Sequence, residues 1–64
     1  MIVVNGVARE VHATNVAELL EELNLPTRGV AVAIDGEIAP RSQWATTDVR
    51  DGTRVEVLSA AAGG

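Results

Sequence analysis

The residues of this sequence that are best suited to take part in a reaction lie at its end. The last five residues are Ala-Ala-Ala-Gly-Gly, and no bulky or charged side chain follows Leu58. Glycine lacks a Cβ atom, so its backbone can enter a narrow slot and approach a ligand closely. An extended segment from residue 59 to residue 64 reaches about 20 Å. These features predict a segment in which Ala62 and Gly63 thread into the active site of another protein and deliver the carboxylate of Gly64.

A terminal carboxylate can be activated by phosphoryl chemistry. Its oxygen attacks the α-phosphate of ATP and gives an acyl-adenylate, from which a sulfur nucleophile displaces AMP to leave a thiocarboxylate. The partner must supply the ATP site and the Mg²⁺ that handles phosphate charge. This chain would then supply only a tether and a docking face, and would bind no cofactor of its own.

Other catalytic constellations find little support in the sequence. His12 is the single histidine and there is no cysteine, which rules out thiolate nucleophiles and thiolate zinc sites on this chain. The spacing of His12, Ser42 and Ser59 does not indicate a nucleophilic triad, and we interpret His12 as an ordinary solvated residue. Glu21 and Glu22 are typical of a solvated helix face. We therefore expect a protein that is not an enzyme in its own right.

The length and net charge of the chain limit the class of protein and the partners that it could bind. Sixty-four residues allow one small domain, and the net charge of −4 disfavours nucleic acid and anionic membranes as partners. Trp44 is the only aromatic residue, so no stacking platform for single-stranded nucleic acid is present. No apolar run approaches a membrane span, and Met1 is not followed by a signal-peptide pattern. We expect a cytoplasmic protein that is monomeric when free.

The elements that must position the tail follow from local patterns. Asn5-Gly6 and Asp35-Gly36 are strong hairpin signals, because both central positions of a type I′ turn need positive φ. Val16, Leu19, Leu20 and Leu23 form one apolar helical stripe. The helix begins at an Asn15 cap with Glu18, or at Thr14 one residue earlier, and stops at Asn24 and Pro26. The predicted strands, in chain order, are 2–4, 7–11, 30–34, the short edge strand 37–39, and 54–58.

This order of elements predicts an α+β fold. The strands at 2–4 and 55–57 would pair at the centre of a mixed sheet of four to five strands, with the hairpins flanking them. The apolar helix stripe would cover one face of that sheet. This arrangement is the ubiquitin-like β-grasp roll, with one main helix. We expect residues 1–59 to form this domain and residues 60–64 to form a flexible, reactive C-terminal tail.

Along essentially its whole length, the sequence resembles a known family, the ThiS sulfur carriers of thiamine biosynthesis. The most specific internal match is Pro40-Arg41-Ser42-Gln43-Trp44. The other matching segments are the first strand with Asn5-Gly6, the helix at 15–23, the strand and turn at 31–36, the last strand at 51–57, and the final Gly63-Gly64.

The resemblance implies specific partners. An activating enzyme of the ubiquitin-activating type would adenylate Gly64, using ATP and Mg²⁺. A sulfur donor such as a cysteine desulfurase system would convert the adenylate to a thiocarboxylate. Thiazole synthase would use that sulfur to build the thiazole ring. Two related alternatives stay open, namely the small sulfur-carrying subunit of molybdopterin synthase and a ubiquitin-like protein modifier; a plain interaction module is a third.

The docking surface has three sequence candidates. If Val55 and Val57 face the helix, Glu56 and Leu58 point outward by the period of two in a strand. An exposed Leu58 just before the tail is the first candidate for a partner contact, with Glu56 beside it. Trp44 is a third candidate, although a lone Trp in a loop more often packs over a core edge.

Overall fold

The computed structural model describes residues 1–59, which form five strands, one α-helix and one 3-10 helix. The predicted reactive residues Ala62, Gly63 and Gly64 lie outside the described residues. The strands are β1 (Ile2–Val4), β2 (Val7–Arg9), β3 (Val30–Ile34), β4 (Glu37–Ala39) and β5 (Arg54–Ser59); the helices are α1 (Val16–Glu22) and the 3-10 helix (Arg41–Thr46).

The strands form one mixed sheet in the order β2-β1-β5-β3-β4. At its centre, β1 runs parallel to β5, and Val4 lies opposite Val55. The β1–β2 and β3–β4 hairpins flank this pair and are antiparallel, as is the β3–β5 pairing. The predicted α+β architecture, with the strands at 2–4 and 55–57 paired at the centre of a mixed sheet, is therefore confirmed.

Two-residue turns close both hairpins as predicted. Asn5 and Asp35 each have φ of +49°, and the following Gly6 and Gly36 have φ of +83° and +88°. These are the left-handed values that type I′ turns require at both central positions. The Asn-Gly and Asp-Gly pairs are therefore sufficient to fix the register of the two hairpins.

The second strand is shorter than predicted. It was expected to reach Val11, but it ends at Arg9, which lies opposite Ile2. The strand β1 offers only three residues for pairing, so the ladder stops there. Beyond it, the N–H groups of His12 and Ala13 donate to the Glu22 carboxylate at 3.0 and 2.8 Å.

The helix begins and ends at polar signals in the sequence. Asn15 is the N-cap, and its Oδ1 accepts a hydrogen bond from the Glu18 N–H at 2.8 Å. The alternative cap, Thr14, instead donates through its N–H and its hydroxyl to the Glu18 carboxylate. Asn24 follows the last turn with φ of +55°, the left-handed conformation that commonly ends a helix.

The helix stripe and the inner face of the sheet form the core. Val16, Leu19 and Leu20 are completely buried, and Leu23 packs against them while half-buried. The sheet contributes its inward residues, and the 3-10 helix closes the remaining side with Trp44. The buried core residues are Ile2, Val4, Val16, Leu19, Leu20, Val32, Ala39, Trp44, Val49 and Val55.

Candidate docking face at the end of the central strand

The described part of the site is the strand that leads to the predicted tail. In β5 the side chain of Val55 is fully buried and that of Val57 is half-buried against the core. Glu56 and Leu58 alternate with them and are exposed, as predicted. Leu58 keeps 55% of its surface exposed, and Ser59 is the last described residue. An exposed apolar side chain therefore lies two positions before residue 60, where the predicted tail begins.

The strand register extends this surface across the sheet. Ala31 lies opposite Leu58, and Ala33 lies opposite both Glu56 and Ile38. Opposed residues share a face, so these five side chains lie on the side of the sheet away from the helix. We call Ala31, Ala33, Ile38, Glu56 and Leu58 the open face. Its centre is apolar, and Glu56 supplies a negative charge on the same strand as Leu58.

Ala31, Ala33 and Ile38 are the members of the open face that the sequence analysis did not name, and Ile38 is the largest of them. It is 64% exposed, while its neighbour Ala39 is buried. Within β4 the burial of Ala39 places Ile38 on the opposite side, because adjacent strand residues point to opposite faces. A three-residue edge strand gives too short a pattern to decide which residue faces inward without the sheet register.

Trp44 belongs to the core. Only 6% of its surface is exposed, and its Nε1 donates to the Ala39 carbonyl at 2.9 Å. The Arg41 guanidinium lies 5.9 Å from the centre of the ring. These contacts support the alternative in which Trp44 packs over the core edge. As a partner contact Trp44 was a poor candidate, because its ring has almost no surface to offer.

The helix carboxylates have roles that the sequence interpretation did not predict. Glu22 is exposed, as predicted for this helix face, and it also accepts hydrogen bonds from the N–H groups of His12 and Ala13. It thereby ties the link after β2 to the helix. His12 is exposed, as expected. Among residues 1–59 there is no group of three His, Cys, Asp or Glu side chains placed to hold a metal ion.

The Asn5 side chain reaches β5 from the first hairpin. The Asn5 N–H donates to the Val55 carbonyl at 2.9 Å, which continues the β1–β5 ladder. Its side-chain amide then binds the next inward residue, because Oδ1 accepts from the Val57 N–H at 2.8 Å and Nδ2 donates to the Val57 carbonyl at 3.3 Å. The sequence predicted Asn5 only as a turn residue.

Within the stretch that the structure describes, no helix is long and apolar enough to cross a membrane.

The fold and the comparisons identify the class and then the family. A mixed five-stranded sheet with a central parallel pair and one helix on one face defines the ubiquitin-like β-grasp class. The ThiS family model matches residues 2–64. The chain therefore belongs to the ThiS family.

Individual relatives agree with this assignment. The sulfur carrier protein ThiS of Escherichia coli (strain K12) is 45% identical over 49 residues, covering 77% of this chain and 74% of the relative. The crystal structure of the thiamine biosynthesis protein ThiS from Geobacter metallireducens superposes with a TM-score of 0.84 at 36% identity, covering 98% of this chain and 97% of the other.

A longer protein contains a similar segment. A thiazole synthase of Paramagnetospirillum magneticum (strain ATCC 700264 / AMB-1) is 39% identical over 64 residues. The match covers 98% of this chain but only 20% of that protein.

Proposed function

We propose that this sulfur carrier of the ThiS family holds its sulfur as a thiocarboxylate on Gly64. The observation that carries the proposal is the position of β5. This central strand bears Leu58 on the open face and leads directly into the Gly-Gly end of the sequence. One strand thus joins a docking contact to the group that would react.

The proposed chemistry has two steps. An oxygen of the Gly64 carboxylate attacks the α-phosphorus of ATP, the bond from this phosphorus to the bridging oxygen of the β-phosphate breaks, and pyrophosphate leaves. In the second step, the terminal sulfur of a persulfide on a donor such as a cysteine desulfurase system attacks the acyl carbon, and AMP leaves. A thiol reductant then cleaves the S–S bond that still joins this sulfur to the donor, which frees the thiocarboxylate. The carbon keeps one oxygen and gains one sulfur. The activating partner would hold ATP and Mg²⁺, and Gly63 and Ala62 would occupy its channel.

The open face is the surface that we propose for the activating enzyme. Ile38 and Leu58 are large, exposed apolar side chains on one face, and removing such apolar surface from water against a partner is favourable. Glu56 adds a charge that a basic group on the partner could meet, in line with the acidic character of the chain.

Thiazole synthase is the acceptor that we propose for the sulfur. The similarity of this chain to a segment of a thiazole synthase supports that pairing, because a carrier joined to its acceptor would have a high effective concentration. The cytoplasmic location stays a prediction.

Pyrophosphate exchange tests the first step. The chain would be incubated with the activating enzyme of its source organism, ATP, Mg²⁺ and labelled pyrophosphate, and we expect chain-dependent incorporation of label into ATP. Gly64→Ala adds one methyl group in a narrow channel and should slow exchange about tenfold or more. Its thermal unfolding curve should match that of the original chain. Full exchange with Gly64→Ala would contradict the threading of the tail.

A further inference from the structure

The two hairpin turns form hydrogen bonds with the central strand β5 from opposite sides. Asn5 and Asp35 occupy the same first turn position and have the same φ of +49°. Asp35 binds the first residue of β5, since its N–H donates to the Arg54 carbonyl at 2.8 Å and its Oδ1 accepts from the Arg54 N–H at 2.9 Å. Asn5 binds Val57, near the other end of the strand.

The residue type at each turn fits what it must bind. The backbone N–H of Asp35 already donates to the Arg54 carbonyl, so the Asp35 side chain has only to accept from the Arg54 N–H. At Val57, the side chain of Asn5 has to satisfy both the N–H and the carbonyl. A side-chain amide offers an acceptor and a donor together, whereas an ionised carboxylate only accepts. This difference explains why an amide suits the first turn and a carboxylate the second.

The Asn5 contact acts where the backbone of β1 no longer reaches. The β1–β5 register ends at Val4 opposite Val55, and the Asn5 N–H makes the last backbone bond of this ladder. Val57 lies two residues further along, so the side-chain amide holds β5 on this side of the sheet. Holding Val57 inward also keeps Leu58 on the open face, because adjacent strand residues point to opposite faces.

We propose that Asn5 is a positioning residue for activation, which fixes the end of β5 and so holds Leu58 on the open face. The inference rests on the proposed function of Gly64. It assigns the first hairpin a role at the reactive end of the molecule, beyond closing a turn.

Two glycine variants separate positioning from stability. Asn5→Gly and Asp35→Gly both keep a residue that tolerates positive φ, and each keeps its backbone bond to β5 while losing its side-chain bonds. In pyrophosphate exchange with the activating enzyme of the source organism, we expect Asn5→Gly to raise the KM for the chain about tenfold with kcat within about twofold. Asp35→Gly, which loosens the far end of β5, should leave both constants within about twofold.

The conservative variant and amide exchange complete the test. Asn5→Asp retains the acceptor for the Val57 N–H and loses the donor to its carbonyl, so its KM should lie between those of the original chain and Asn5→Gly. Hydrogen exchange at the Val57 amide should accelerate in Asn5→Gly and stay unchanged in Asp35→Gly.

The outcomes distinguish this inference from the proposed function. The positioning role would be overturned if the two glycine variants changed KM equally, or if Asn5→Gly left hydrogen exchange at the Val57 amide unchanged. Either result would leave the activation of Gly64 standing. If the original chain supports no pyrophosphate exchange with an active enzyme, the proposed function is overturned, and this role for Asn5 with it.

Discussion

Met1 and Asp51 hold the start of β1 against the turn that precedes β5. The Met1 amino group forms an ion pair with the Asp51 carboxylate, and the Gly52 N–H donates to the Met1 carbonyl at 2.8 Å. The hydrogen bond that the amino group donates to the Asp51 carboxylate raises the pKa of this amino group above its ordinary value of 8.0. Because the group is exposed, the effect on stability should be small.

The raised pKa predicts how stability varies in alkali for a chain that begins at Met1 with a free amino group. The stabilisation is complete below the unfolded pKa of 8.0 and is lost as the pH rises through the higher folded pKa. The sequence has no Lys, Tyr or Cys, the side chains whose ordinary pKa values lie between about 8 and 11. Urea denaturation from pH 7 to pH 10 should show the free energy of unfolding falling above pH 8.

Two variants provide the comparison for this prediction. Asp51→Asn should abolish the alkaline decline, whereas Asp48→Asn, which alters a side chain that lies 3.5 Å from Arg50, should retain it. An equal decline in the original chain and Asp51→Asn would contradict the assignment of the effect to this ion pair.

At the scale of the elements, α1 depends on its cap and its packing. Seven residues are too few for a helix that is stable alone, so the buried stripe and the terminal hydrogen bonds must hold it. Asn15→Ala removes the bond to the Glu18 N–H and should lower the free energy of unfolding by about 1 kcal/mol. Asn15→Ser should retain most of the stability. Chemical denaturation that shows no difference between Asn15→Ala and Asn15→Ser would contradict the capping role.

The elements that were predictable are those set by local chemistry. Asn5-Gly6 and Asp35-Gly36 determine their turns through positive φ, and Asn15 caps the helix through a contact three residues away. The end of β2 was not predictable, because the length of its partner β1 decides it. The bonds of Glu22 to His12 and Ala13 also depend on tertiary packing, which periodicity does not encode.

The same division applies to the site. The outward position of Leu58 followed from the alternation of β5 alone. The open face needed the strand order, because the β3–β5 register places Ala33 beside Glu56 and the β3–β4 register places Ile38 beside Ala33, one strand further out. The second role of Asn5 needed the parallel pairing of β1 and β5, which places residues 52 positions apart in contact.

For the whole molecule, the open face predicts which surface variants impair activation. Leu58→Glu places a charge in the proposed interface and should weaken binding to the activating enzyme about tenfold or more. Val7 is equally exposed at 55%, but it pairs with Val4 and so lies on the opposite face, which makes Val7→Glu the matched control. Both variants should keep their stability within about 0.5 kcal/mol, as is usual for surface changes.

Calorimetric titration of each variant with the activating enzyme would decide the matter. Equal losses of affinity in Leu58→Glu and Val7→Glu would show that the effect is one of general acidity, and the open face would then not be the docking surface.

Intact mass spectrometry tests the central claim most directly. The chain would be incubated with the activating enzyme of its source organism, ATP, Mg²⁺ and a sulfur source, beside a chain that lacks Gly63 and Gly64. The account predicts a mass shift that corresponds to one oxygen replaced by sulfur, present in the full chain and absent from the truncated one. If the mass of the full chain stays unchanged with an enzyme that is shown to be active on another sulfur carrier, the account is contradicted.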